Sequence, residues 1–270
     1  MKYVYVKCRF LWVSGEEIKE FKVEGCNAIL RYHDLPGSEA PIIFIHGIGC
    51  ASSFDYPAVA ASECLLSHRR ILVDLLGSGF SDKPEGFDYS IGSHAAYLEA
   101  FIQSLGLDKF VIYGHSMGGA VSVVLAEKVL PQLQALVLSE ANLDSGGGFF
   151  SKKIASYTES EYVTHGHAQI VQHSIDEPNT QWAASLVVNS AVATHRQAVS
   201  LIEGQDPSWR DRLYSLNVNR TYLFGSKSLP DTDTERLNNH DIAISVVPDA
   251  GHSMAWENAS GLAEAIKRAL

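Results

Sequence analysis

Cysteine is scarce in this 270-residue sequence. The four cysteines are Cys8, Cys26, Cys50 and Cys64. None belongs to a C-x-x-C pair, and none stands at metal-ligand spacing from a histidine, so neither a zinc site nor a redox pair is indicated. His165 and His167 lie two residues apart with no carboxylate framework around them, which favours a solvated surface over a metal site. We expect four reduced thiols, most of them buried, and an activity that requires no metal or organic cofactor.

Long apolar runs and positive charge are also lacking. No run of 18 apolar residues occurs, which predicts no membrane-spanning helix. Residues 1–7 lack the continuous apolar stretch of a signal peptide, so we expect a cytoplasmic protein. Lysine and arginine number 21 against 31 acidic residues, a net charge of −10. Nucleic-acid binders usually carry a basic footprint, and anionic membranes attract basic segments. The expected partner is therefore a small-molecule substrate, and the oligomeric state is left open.

Apolar residues are plentiful, at 46% of the sequence, and many fall in short continuous runs. Such runs, bounded by turn residues, are typical of parallel strands buried on both faces of a sheet. The runs are 42–45, 71–73, 110–113, 135–138, 221–224 and 244–247. Each ends in a small or polar residue that suits a turn at the carboxyl end of a strand.

Helical and antiparallel segments surround these runs. Apolar residues at helical spacing predict helices over 92–105, 118–130 and 259–270. Residues rich in Val, Tyr, Phe and Trp predict antiparallel strands at the start of the chain. These strands are 3–13, 18–24 and 27–33. The alternation of strand and helix predicts an α/β protein with a doubly wound, mostly parallel sheet of about eight strands.

Residues 144–204 interrupt this alternation. They open on a glycine-rich stretch, Asp144-Ser145-Gly146-Gly147-Gly148, and contain no evident core strand. Helical patterns follow near 151–174, 180–190 and 194–203. We predict a helical lid at 144–204, inserted into an α/β core formed by 1–143 and 205–270.

A nucleophile motif follows the third apolar run. Gly114-His115-Ser116-Met117-Gly118 matches G-x-S-x-G and stands between a predicted strand and a predicted helix, the context that supports a nucleophile elbow. Side chains two positions either side of the serine would clash in so sharp a turn, hence the two glycines. The elbow directs the Ser116 hydroxyl at a cleft. It also leaves the Met117 N–H at a helix N-terminus, where it suits an oxyanion. His115 is expected to shape the elbow rather than act as the general base.

With these motifs the chain resembles the α/β-hydrolase superfamily along nearly its whole length. His46-Gly47-Ile48-Gly49 is similar to its H-G-x-G oxyanion loop, and residues 74–81 resemble its D-x-x-G-x-G-x-S loop. Gly251-His252 resembles its histidine loop. The resemblance implies that the Ile48 N–H is the second oxyanion donor and that His46 orients its loop. It does not fix the substrate, because this fold hosts many chemistries.

A serine nucleophile needs a general base and a supporting carboxylate. His252, between the last predicted strand and helix, is the expected base. The usual acid position of the superfamily corresponds here to Ser228, which carries no charge. A minority of the superfamily, including haloalkane dehalogenases, places the acid where Glu140 stands. We expect Glu140 to be the acid, with Asp231 or Asp233 as the alternative.

The substrate is expected in an apolar pocket beneath the lid. Candidate substrate-binding residues are His46, Phe149, Trp182 and Met254. A small or medium apolar acyl group suits such a pocket. We predict a carboxylic-ester hydrolase. C–C bond hydrolysis, perhydrolysis and N-terminal peptide cleavage remain alternatives, as does a ligand sensor without turnover. Epoxide and haloalkane hydrolysis are disfavoured because relatives with those activities have aspartate at the elbow.

Overall fold

The sheet of this protein is eight-stranded and mostly parallel, as the apolar runs predict. The computed structural model describes residues 18–177 and 179–270. The strand order is β1-β2-β4-β3-β5-β6-β7-β8. The strands are β1 Lys19–Val23, β2 Ala28–Leu35, β3 Glu39–Ile45, β4 His68–Asp74, β5 Phe110–His115, β6 Leu133–Ser139, β7 Asn219–Gly225 and β8 Ala243–Val247. Among the described strands, β2 pairs antiparallel with β1 and with β4, and the other neighbouring pairs are parallel. The predicted strand at 3–13 lies outside the described residues.

Helices cover both faces of the sheet and begin close to the predicted positions. Before β6 these are α1 Ser52–Asp55, α2 Pro57–Ala60, α3 Ile91–Ser104 and α4 Met117–Val129, with a 3-10 turn at Glu63–Leu65. After β7 they are α11 Asp233–Asn238, α12 Met254–Glu257 and α13 Ala259–Arg268, with a 3-10 turn at Ser226–Ser228. Apolar side chains on the two sheet faces form two separate buried clusters, one against α3 and α4 and one against α2 and α13.

The described residues between β6 and β7 contain helices and no strand. They form α5 Phe149–Ala155, α6 Glu159–Glu161, a π-helical turn at Tyr162–Gly166, α7 His167–Asp176, α8 Thr180–Val187, α9 Ala191–Glu203 and α10 Trp209–Ser215. Trp182 donates from Nε1 to the Ile48 carbonyl at 2.9 Å, which joins this helical segment to the loop after β3. None of the described helices is long and apolar enough to cross a bilayer.

Candidate active site

Ser116 occupies a strained turn between β5 and α4. Its backbone φ is 52°, a left-handed conformation that is uncommon for a residue with a side chain. A Cβ on Gly118 would lie 2.4 Å from the carbonyl oxygens of Ile45 and His46, and one on Gly114 would lie 2.2 Å from Ser122 Oγ. The two flanking positions therefore require glycine. The turn presents the Ser116 hydroxyl at the carboxyl end of the sheet.

Ser116, His252 and Glu140 form one hydrogen-bonded chain. His252 Nε2 lies 3.2 Å from Ser116 Oγ, and His252 Nδ1 lies 2.8 Å from Glu140 Oε2. About half of the His252 side chain is exposed, against 13% of the Glu140 side chain. The two ring nitrogens of one imidazole thus contact a carboxylate and a hydroxyl on opposite edges of the ring. This is the arrangement in which a histidine removes a hydroxyl proton while a carboxylate stabilises the imidazolium.

The sheet register explains why Glu140 reaches His252. Ser139 pairs with His115 on one side and with Leu223 on the other, so Glu140 follows β6 between the ends of β5 and β7. Glu140 N–H donates to the Leu223 carbonyl at 3.1 Å. Its Oε1 accepts from the Gly225 N–H at 3.0 Å. The carboxylate therefore lies against the end of β7, the strand after which the superfamily usually carries its acid.

Ser228 supports this carboxylate, a role that sequence reasoning missed. Burial alone would raise the pKa of Glu140, but hydrogen bonds from His252, from the Ser228 side chain and from the Gly225 N–H lower the pKa to about 2. Glu140 is thus ionised at neutral pH. The sequence contains one signal for this role, because Ser228 is an uncharged residue at the position where the superfamily usually has its acid.

The alternative acids lie in the same cleft but make other contacts. Asp231 Oδ1 accepts from the Asp233 N–H at 2.7 Å, and Asp233 Oδ2 accepts from Arg210 at 2.9 Å. Neither is hydrogen-bonded to His252, whose Nδ1 contacts Glu140. Of the three candidate carboxylates, the structure brings only Glu140 to the histidine.

The Met117 and Ile48 N–H groups belong to peptides whose carbonyls are held in place. The Ser116 carbonyl accepts from Gly119 N–H at 2.9 Å and from Asn142 N–H at 3.1 Å. The Gly47 carbonyl accepts from His46 Nδ1 at 2.8 Å and from Cys50 N–H at 3.3 Å. A trans peptide is planar, with C=O and N–H on opposite sides. Fixing each carbonyl therefore fixes the direction of the N–H of Met117 or Ile48.

His46 does not line the cleft, so its assignment to substrate binding is corrected. The side chain is fully buried. Its Nε2 accepts from the Leu75 N–H at 3.0 Å, so the proton is on Nδ1, which donates to the Gly47 carbonyl. Burial lowers the pKa of His46, which keeps the ring in this neutral form. His46 instead holds the peptide that carries the Ile48 N–H.

A cleft of about 450 Å³ lies over Ser116. Phe149 and Trp182 line it together with Phe150, Tyr222 and Phe224. The ring centroids of Phe150 and Trp182 are 4.1 Å apart. Met254, also expected to contact substrate, lines a neighbouring small pocket of about 30 Å³ instead, because α12 turns its side chain into the core. The expectation for Met254 is corrected accordingly.

His115 lies beside the candidate base without sharing its contacts. The two imidazole centroids are 4.7 Å apart, and His115 Nδ1 is 3.0 Å from Ser139 Oγ. Burial, together with the neighbouring His252, lowers the pKa of His115 to about 3. Because the His115 ring is neutral, it places no positive charge beside the imidazolium that His252 would form.

The family model of the α/β hydrolase fold matches residues 40–262, which include every residue of this site. The chain belongs to the α/β-hydrolase family. Among the described residues of this α/β hydrolase, no group of three or more His, Cys, Asp or Glu side chains is arranged to hold a metal ion.

Curated relatives of this α/β hydrolase have different activities. One is a 2-hydroxy-6-oxo-2,4-heptadienoate hydrolase from Pseudomonas putida, 32% identical over 110 residues, or 40% of each chain. Another is haloalkane dehalogenase 2 from Mycobacterium tuberculosis, 31% identical over 102 residues, which is 38% of this chain and 35% of that protein. The matches thus span two fifths or less of the relatives' length.

Solved structures match over almost the whole chain at lower identity. A thermophilic esterase from Thermogutta terrifontis superposes with a TM-score of 0.75 at 21% identity, covering 93% of this chain and 97% of that one. An N-acyl homoserine lactonase superposes with a TM-score of 0.72 at 17% identity, covering 93% and 95%. At such identities these likenesses establish the fold alone.

Proposed function

We propose that this α/β hydrolase cleaves carboxylic esters of small or medium apolar acyl groups through an acyl-enzyme. The observation that carries the proposal is the hydrogen-bonded chain from Ser116 Oγ through His252 to Glu140 at the base of an aromatic-lined cleft. The helices of 144–204 act as a lid on a core formed by 1–143 and 205–270.

In the first half of the reaction, Ser116 Oγ attacks the acyl carbonyl carbon while His252 Nε2 takes the hydroxyl proton. Glu140 holds the ring and stabilises the imidazolium. The N–H groups of Met117 and Ile48 donate to the carbonyl oxygen as it becomes negative. His252 then protonates the leaving alkoxide, and the bond from the acyl carbon to the alcohol oxygen breaks.

In the second half, His252 Nε2 removes a proton from water as the water oxygen attacks the acyl carbon. The tetrahedral intermediate collapses by breaking the bond to Ser116 Oγ, which recovers its proton from His252. The products are the carboxylic acid and the free enzyme, so the cycle needs no cofactor.

The charge of the cleft favours an ester over the C–C hydrolase reaction. Among the described residues lining the cleft, none is lysine or arginine, whereas Glu140, Asp231 and Asp233 are acidic. The substrate of the Pseudomonas putida relative is, by its name, a carboxylate. Asp233 is paired with Arg210 and Glu140 with His252, but a carboxylate would meet the charge of Asp231 here and find no lysine or arginine on the cleft wall that the structure describes. A neutral ester avoids this repulsion.

A panel of p-nitrophenyl esters, from acetate to decanoate, tests the proposal together with a fluorophosphonate probe. We expect turnover that is highest for short or medium acyl chains, and labelling that is lost in Ser116→Ala. Turnover no faster than the uncatalysed reaction, with Ser116 unlabelled, would contradict it. If ligands then still raised the melting temperature of Ser116→Ala, the protein would be a ligand sensor.

A further inference from the structure

A small pocket lies beside the cleft, between the loop after β3 and the histidine loop. Its volume is about 30 Å³. Asp55 and Tyr56 line it from one side, and Ser253 and Trp256 line it from the other. A water molecule needs at least about 10–15 Å³ measured in this way. The pocket therefore has room for one or two water molecules.

Tyr56 indicates what the pocket holds. The residue is 1% exposed, and its hydroxyl, which interacts with that of Tyr113, makes no hydrogen bond of standard geometry among the described residues. A buried hydroxyl left unpaired costs about 1–3 kcal/mol. Because Tyr56 lines the pocket, a water molecule there removes this cost.

Asp55 is the second polar group on this wall. It is 6% exposed, and its Oδ1 accepts from Trp256 Nε1 at 3.1 Å. Burial raises the pKa of Asp55 to about 6, opposed by hydrogen bonds from Trp256 and Cys50 and reinforced by the charge of Asp74. In the described part of the chain no lysine or arginine forms an ion pair with it. A carboxylate has about four acceptor positions, so water in the pocket supplies further donors to Asp55.

The position of Asp55 links both halves of the proposed machinery. Asp55 ends α1, a few residues after the oxyanion loop, and it hydrogen-bonds Cys50 directly behind that loop. Trp256 lies in α12, four residues after His252. The same histidine loop is also held from its outer side, where Glu257 Oε2 accepts from the Gly251 N–H at 2.8 Å. A single buried carboxylate therefore joins Cys50, directly after the oxyanion loop, to Trp256 in the helix that follows His252.

We infer that Asp55 is a positioning residue for His252, acting through Trp256, and that the small pocket beside it binds the water that completes the hydrogen bonds of Asp55 and Tyr56. This inference rests on the proposed ester hydrolysis. A displacement of about 1 Å at a reacting group costs on the order of 100-fold in rate. Loss of the bond from Asp55 to Trp256 should thus lower kcat and leave KM nearly unchanged.

The test is a double-mutant cycle on a p-nitrophenyl ester that the wild type hydrolyses. Asp55→Ala and Trp256→Phe should each lower kcat by about ten-fold or more, and the double variant should be no slower than the slower single variant. Asp55→Asn retains an acceptor for Trp256 Nε1 and should recover most of the loss. Asp108→Ala, an exposed aspartate before β5, is the matched control. Thermal unfolding of each variant separates misfolding from misplacement.

The outcomes are distinct. The role of Asp55 would be overturned if the fold-losses in kcat of the two single variants multiplied in the double variant. It would also be overturned by a raised KM with unchanged kcat, or by no recovery of kcat in a folded Asp55→Asn. An absence of wild-type turnover would instead refute the ester hydrolase. High-resolution diffraction should show water bonded to Tyr56 Oη and Asp55 in the wild type. An empty pocket would overturn the water site whatever the kinetics show.

Discussion

The Glu140 carboxylate lies 2.8 Å from His252 Nδ1, although it follows β6 rather than β7. The contact depends on the neighbouring strand, because Gly225 and Ser228 at the end of β7 both hydrogen-bond Glu140. A carboxylate that follows β6 therefore reaches the histidine loop with the support of residues at the end of β7. In the proposed triad the acid thus follows β6 rather than β7.

Glu140→Gln should lower kcat by about 10³–10⁴-fold, because the amide can no longer stabilise imidazolium or fix the productive tautomer of His252. Steady-state kinetics on a neutral p-nitrophenyl ester measure the effect. Asp231→Asn is the comparison variant, and it should retain activity on the same ester. Survival of activity in Glu140→Gln with its collapse in Asp231→Asn would identify Asp231 as the acid.

A second prediction concerns Ser228. Ser228→Asp alone places a second carboxylate beside Glu140, which raises the pKa of Glu140 through like-charge repulsion and should reduce kcat. In the Glu140→Gln background the same substitution should recover part of the lost activity, since position 228 lies next to the carboxylate it would replace. A double variant no faster than Glu140→Gln would show that position 228 does not reach His252.

The acid stability of the fold should depend on Glu140. The pKa of Glu140 in the folded protein, about 2, lies below the ordinary glutamate pKa of 4.5. The resulting stabilisation is present above pH 4.5 and is lost as the pH falls toward 2. Because this carboxylate and its partner are partly exposed and screened by solvent, the stabilisation amounts to about 1–2 kcal/mol. Urea unfolding at pH 7 and pH 3 should therefore show a smaller stability difference between wild type and Glu140→Gln at the lower pH. A difference that does not change with pH would contradict the lowered pKa.

Asp231 should influence which esters are preferred. Its side chain lines the cleft and makes no ion pair among the described residues. A choline ester and its neutral 3,3-dimethylbutyl analogue have nearly the same shape, so their ratio of kcat/KM isolates the effect of charge. Asp231→Asn should lower this ratio several-fold, consistent with about 1 kcal/mol for a solvent-exposed charge pair. An unchanged ratio would show that Asp231 does not contact the cationic group.

The sequence was informative where local pattern determines structure. The apolar runs located β3 to β8, and Gly114 and Gly118 identified a turn whose steric limits leave no alternative residue. Because Ser228 carries no charge, the acid was expected at another position, Glu140. Each of these inferences needs only the residues near one strand end, because the carboxyl ends of parallel strands meet along one edge of the sheet.

The sequence was less informative about side-chain direction. His46 and Met254 stand in the right loops, yet both side chains turn into the core. Asp55 belongs to no motif, and its contact with Trp256 joins residues 201 positions apart. Such contacts depend on how separate loops pack together, which hydrophobic periodicity does not encode.

Intact-protein mass spectrometry after rapid mixing with a p-nitrophenyl ester tests the central claim most directly. The account predicts a transient mass increase of one acyl group, located on Ser116 by peptide mapping and absent from Ser116→Ala. It also predicts a burst of p-nitrophenol of about one equivalent per enzyme whenever deacylation is the slower step. Turnover that persists in Ser116→Ala, or an acyl group on any other residue, would contradict it.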